Sequence, residues 1–191
     1  LAFEAIDAIS EILKEDAVRK IRKKMASRLV KKLAIECKGE FDFDLRSATK
    51  GVYCIALDEE FEFDYEKRPS RILHIGSGNI CTRISSHLEG KLFDFAYDLR
   101  VVPFRFYFAD LTTSLVEKKN HVALEQSLLA KFSSDTDQSL PLLNKNNASK
   151  SLTFGEANSG WDKPLQRDRG PQATAWLLKA KEANHWKGAL Q

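Results

Sequence analysis

One stretch limits the architecture more than any other: "RILHIGSGNICTRISSHL", residues 71–88. Its first five residues have the β-branched, alternating character of a strand. Gly76-Ser77-Gly78 then interrupts the pattern, and Asn79 is a good N-cap for a helix beginning just beyond it. From Ile80 the spacing is helical, with Ile80, Ile84 and Leu88 on one stripe at about 100° per residue. A chain that changes period across three residues expects a strand–turn–helix corner.

The remaining segments fit a small sheet around that corner. "GVYCIAL" (51–57) and "VVPFRFYFADL" (101–111) read as two further strands, with Pro103 near the start of the latter, where strands tolerate it. Residues 113–132 form a helical pattern. Residues 1 to about 36 form another, in which Ile6, Ile9 and Leu13, then Val18, Ile21, Met25, Leu29 and Leu33, follow three–four spacing until Gly39. "QATAWLLKAKEANHW" (172–186) reads as a helix after a polar linker. The order strand, strand, helix, strand, helix predicts an α/β (α+β) fold. It has a small three-stranded, mainly antiparallel sheet flanked by helices, with added N- and C-terminal helical segments. The expected divisions are a basic helical extension (1–48), a core (49–150) and a C-terminal linker and helix (151–191).

The 43% apolar content, with 12 Phe and 3 Trp, suffices for a core, and no apolar run reaches the ~18 residues of a membrane span. The opening "LAFEAIDAISEILKED" has no basic segment followed by an apolar one, so no secretory leader is expected in it, and the missing Met suggests a trimmed or partial chain. Cys37, Cys54 and Cys81 are scattered and odd in number, which fits free thiols in a reducing, cytoplasmic setting rather than a disulfide framework or zinc site. Charge is segregated. Residues 19–32 carry eight Lys or Arg and no acid, whereas 58–66 are acidic. Arg19, Lys20, Arg22, Lys23 and Lys24 are thus either a solvated helix face or a phosphate-facing arm.

Several polar residues break the core pattern. Arg83 and His87 lie one turn apart at the border of the Ile80–Ile84–Leu88 stripe, either as a snorkelling Arg beside a packed His or as a pair aimed at one ligand. Glu125 falls within the apolar face made by Val122, Leu128, Leu129 and Phe132. A carboxylate there needs a cation, such as Arg83 or a lysine, or it lines a cavity as a metal ligand or acid. Tyr53 and His74 are each compatible with packing, and Asn144 in "PLLN" with a turn cap.

Taken in order, Gly51-Val52-Tyr53, His74-Ile75-Gly76, Arg83, His87, Glu125 in "ALEQSLLAKF" and Asn144 in "PLLN" resemble the GIY-YIG nuclease domain over roughly residues 49–150. Two departures stand out: His74 occupies the place where that family usually has Tyr, and 20 residues separate Tyr53 from His74. The resemblance implies a metal-dependent endonuclease hydrolysing phosphodiester bonds, most naturally in DNA, with RNA also open. Glu125 would ligate Mg²⁺ or Mn²⁺ and Arg83 would bind the phosphate. Tyr53 would position or deprotonate the attacking water, with His87 as its helper or as the base. His74 would line the pocket and Asn144 would hold the loop or a phosphate. The biological setting that fits a short chain with its own flanking helices is restriction-like or mobile-element-like. Concerted cleavage of two strands would call for a homodimer, with no membrane involved. The alternative is a nucleic-acid-binding or interaction module on the same fold.

Overall fold

In the computed structural model the described residues are 2–58, 61–65, 67–98, 104–112, 120–137, 139–145, 162, 164–165 and 176–178. The elements in chain order are α1 (Ala2–Phe41), β1 (Gly51–Leu57), β2 (Phe61–Asp64), β3 (Pro69–Ser70), β4 (Ile72–Gly78), α2 (Ile80–Glu89), α3 (Lys91–Asp98), β5 (Phe104–Asp110), α4 (Asn120–Asp135) and β6 (Trp176–Leu178). They divide into two compact units, and neither is continuous in sequence. One comprises residues 1–46 and 81–100, the other 47–80 and 101–191. The predicted core of 49–150 therefore gives up α2, beyond Ile80, and α3 to a helical unit that also holds α1.

The sheet unit is built on β1. This strand pairs antiparallel with β4 along one edge and with β5 along the other, giving the order β4-β1-β5. Every residue of β1 is buried, as expected of a central strand covered on both faces. Val52, Cys54 and Ala56 face a cluster containing Leu124, Leu128, Leu129 and Phe132 of α4. The opposite face carries Tyr53, Ile55 and Leu57 by the two-residue alternation of strands. Burial pushes the Cys54 thiol up to about 12, so it stays protonated. Cys37 is also buried, Cys81 is partly buried, and all three are free thiols.

A second small sheet, β3-β2-β6, extends the unit. The acidic insertion thus becomes a short hairpin, β2 with β3, and β6 adds parallel to β2. Two of its acids meet arginines. Asp58 accepts from Arg105 at 2.8 Å, and Glu62 lies 3.9 Å from Arg71. Tyr65 ties the hairpin to the core. Its hydroxyl donates to the Ile72 carbonyl at 2.6 Å and accepts from the Leu142 amide at 3.0 Å, while its ring stands edge-on to Phe132 at 5.1 Å.

Four expectations need correction. The Gly-Ser-Gly segment is no turn: β4 runs through Gly78, because Gly51, Val52 and Tyr53 pair with Gly78, Ser77 and Gly76. Helix α1 does not stop at Gly39, which is followed by two more helical residues to Phe41. In the segment read as a C-terminal helix, residues 176–178 form a strand, since β2 offers a free edge; the rest of that segment lies outside the described residues. In the linker, Leu165 belongs to the core cluster, and buried Asp162 lies 3.6 Å from Lys131. Residues 101–103 and 113–119, at the starts of the predicted third strand and second helix, also fall outside the described set.

The helical unit has its own internal logic. Ala26, Val30 and Cys37 are buried on α1, and Ile84, Leu88, Leu92 and Phe95 are buried on α2 and α3. Arg22 of α1 is 2.7 Å from Asp94 and lies over the Phe93 ring at 4.7 Å, which joins α1 to α3.

Replacing Tyr65 with Phe removes one hydroxyl that serves two backbone groups. We expect the variant to lose about 1–3 kcal/mol in urea unfolding, because the Ile72 carbonyl and Leu142 amide keep their desolvation cost. A loss below a few tenths would show that the hydroxyl is dispensable.

Candidate functional site

The residues of the two strand motifs meet across one register pair. Tyr53 sits opposite Gly76, and Ile55 opposite His74. All of these lie on the same face, so the Tyr53 ring leans over Gly76 toward His74. Tyr53 Oη is 3.5 Å from His74 Nε2, at the long end of hydrogen bonding, and the rings are 5.7 Å apart. A glycine is required beneath them: a Cβ at Gly76 would overlap Tyr53 Oη and Cζ and stand 3.0 Å from His74 Nε2. Gly51 is constrained in the same way, because a Cβ there would press on the Ala109 carbonyl and the Ile80 side chain. Both motif glycines therefore report close packing. Tyr53 is 2% exposed and His74 9%.

Ser77, the next residue of β4, points to the other face. Its hydroxyl donates to Glu125 Oε2 at 2.5 Å. Glu125 is half-buried on α4, on the same stripe as buried Leu128, Leu129 and Phe132. Its environment is as the helical spacing implies, and the Ser77 hydroxyl is one group that meets it. Ser77 escaped the sequence reading because Gly-Ser-Gly looked like a turn. In a strand, alternation would have aimed that hydroxyl at the α4 face. Tyr53 and Glu125 thus stand on opposite faces of the sheet, with the Gly76–Ser77 step of β4 between them.

Asn144 has a backbone task. Its Nδ2 donates to the Ile75 carbonyl at 2.8 Å, and its Oδ1 accepts from the Ile75 amide at 2.9 Å. The side-chain amide acts as one residue of a neighbouring strand. The Leu143 amide adds a further bond to the Leu73 carbonyl at 2.8 Å, and the Asn144 amide closes the turn on the Pro141 carbonyl at 2.8 Å. Asn144 accordingly holds the "PLLN" segment along the outer edge of β4.

Arg83 and His87 belong to the helical unit, on α2. Arg83 is exposed, and His87 is half-buried. Burial, followed by the positive charges of Lys91 and Arg83, lowers the His87 pKa to about 4. The near-neutral titration expected of His87 as a base is therefore corrected: the ring is neutral at pH 7 and a weak proton acceptor. Of the basic residues on α1, Arg22 is engaged by Asp94, and Arg19 lies 3.1 Å from Asp16. Lys20, Lys23 and Lys24 are exposed.

Among the described residues no cluster of three or more His, Cys, Asp or Glu side chains could hold a metal ion. A hard divalent ion such as Mg²⁺ keeps most of its waters and takes only one or two carboxylates, so the single carboxylate of Glu125 suits it chemically. No described helix is long and apolar enough to cross a membrane.

Two outcomes are expected from this geometry. Gly76→Ala should destabilise the fold by about 1–3 kcal/mol through overpacking. Adding Tyr53→Leu, which removes the overlapping ring, should make the pair less costly than the sum of the singles. Strict additivity in chemical denaturation would contradict the packing described. The second outcome concerns pH. His87 titrates at about 4 when folded, against an ordinary value of 6.5, so the unfolded chain binds more protons between those values. Stability should therefore fall as pH drops from about 6.5 to about 4. The lowered pKa of His121, also from burial, acts in the same direction. His87→Gln should flatten the slope in that window, and an unchanged slope would refute the assignment.

The chain matches no protein-family model, no curated protein and no solved structure.

Proposed function

We propose that the chain is a metal-dependent endonuclease that hydrolyses phosphodiester bonds in nucleic acid, most naturally DNA. The observation that carries the reading is the Tyr53–His74 pair over Gly76, with Glu125 fixed by the adjacent Ser77. These contacts give the "GVY" and "HIG" motifs a physical reason to occur together. They also tie the glutamate of the resemblance to the same strand, on the opposite face of the sheet from Tyr53.

In this proposal a water oxygen bonds to phosphorus as the bond to the leaving oxygen breaks, and the water's proton passes toward the Tyr53 hydroxyl. A phenol titrating near 10 is a poor base alone. His74, at 3.5 Å, is the acceptor that would relay the proton, in place of His87, whose ring has lost basicity to burial. Arg83 offsets the charge that builds on the phosphate, a role that rests on the resemblance. Glu125 would hold the divalent ion, which when bound polarises the phosphate oxygens. Exposed Lys20, Lys23 and Lys24 offer backbone contacts of the kind that add affinity without sequence choice.

One observation favours a second reading. Tyr53 at 2% exposure is packed like a core residue, as it would be in a binding module that retains the fold without cleaving. Nicking of supercoiled plasmid with Mg²⁺ separates the two. Cleavage is expected in the parent chain, and Glu125→Ala or Arg83→Ala should lower the rate by at least about 10²-fold. Nicking that persists in Glu125→Ala would sink the mechanism. DNA retardation without nicking under any divalent metal would leave the binding module.

A further inference from the structure

The inward seam of helix α4 changes character along its length. At about 100° per residue, His121, Glu125, Leu128 and Phe132 fall within about 60° of one another around the helix. Leu128 and Phe132 are each 1% exposed, and with Leu124 and Leu129 they close the core over β1. His121 and Glu125 continue the same seam toward the start of the helix, and both are half-buried. An imidazole and a carboxylate thus occupy seam positions of the first turns, where the pattern would place apolar residues.

The sheet beneath brings polar groups to the same end. Ser77, opposite Val52 near the start of β1, donates its hydroxyl to Glu125. Lys50 directly precedes β1, and its charge reaches His121. The polar end of the seam therefore lies over the beginning of β1 and the close of β4. Residues four apart on one helix face can reach a common point, and this is a spacing at which helices present paired metal ligands. The Ser77 bond orients the carboxylate, as the groups behind a metal ligand do. Glu125 alone suits Mg²⁺, which prefers oxygen. A ring nitrogen beside it favours a first-row transition ion such as Mn²⁺. Lys50 opposes any cation here, but its side chain is exposed and the solvent screens it.

We propose that His121 ligates the divalent ion together with Glu125, in a nitrogen–oxygen site that selects Mn²⁺ over Mg²⁺. The proposal rests on the reading of Glu125 as a metal ligand, and it holds whether or not the bound ion serves cleavage.

Titration of the full chain with Mn²⁺, followed by electron paramagnetic resonance, tests this without a cleavage assay. The parent chain should bind Mn²⁺ more tightly than Mg²⁺, and the spin-echo spectrum of the bound ion should carry modulation from a directly bonded nitrogen. His121→Ala should abolish that modulation and weaken Mn²⁺ at least about tenfold, while changing Mg²⁺ affinity by less than about threefold. Circular dichroism checks that the variant folds, and the parent spectrum needs no variant at all. An absence of Mn²⁺ binding, bound Mn²⁺ without nitrogen modulation, or modulation that survives in a folded His121→Ala chain would overturn the proposal. Plasmid nicking separates this outcome from the nuclease reading. Nicking by a chain whose Mn²⁺ shows no nitrogen would remove His121 as a ligand and keep the nuclease. Nitrogen modulation that depends on His121, with no nicking under either ion, would keep the metal site and end the nuclease reading.

Discussion

The double-sided pairing of β1 is the constraint on which the sheet unit depends. A strand hydrogen-bonded along both edges and buried on both faces cannot slip by one residue without reversing every side chain it carries. That fixed register sets Tyr53 over Gly76 and sends Ser77 toward α4. It also leaves the outer edge of β4 to be completed by something other than a strand. Asn144 does this with a side-chain amide, so a loop residue substitutes for a peptide group.

The sequence was legible where that physics acts locally. Strand and helix identities could be read because β1 is a run of β-branched and aromatic residues and α2 carries a clear helical stripe. The anomalous position of Glu125 was legible because a carboxylate on an apolar stripe conflicts with burial. Three things were hidden. Gly76-Ser77-Gly78 has turn composition, yet the pairing of β1 extends β4 through it, and tertiary pairing overrides local preference. Leu165 and Trp176–Leu178 sit in polar or helical-looking surroundings, and their strand or core character comes only from β2 and the cluster around Phe132. The weak basicity of His87 needs three-dimensional burial and the nearness of Lys91 and Arg83, which spacing suggests only in part.

The proposed chemistry changes accordingly. The two histidines of the resemblance are not equivalent: His74 is within reach of the Tyr53 hydroxyl, and His87 is held neutral. The residue that departs from the family's usual tyrosine is thus the one with a catalytic argument in its favour. An imidazole ring nitrogen is a stronger proton acceptor than the oxygen of a second phenol.

The division of the chain has a consequence for the order in which it takes shape. All residues of the helical unit exist once position 100 has been synthesised, whereas β1 still lacks its neighbour β5. Until β5 and the Leu143–Asn144 segment emerge, β1 and β4 form a two-stranded ribbon with both edges open and apolar faces, a species prone to pair with other chains. The β1–β4 contacts span fewer residues than those of β1 with β5, so loop closure favours the same sequence of events. The excursion through α2 and α3 therefore acts as a delay between the second strand and the third, during which the nascent sheet is most exposed.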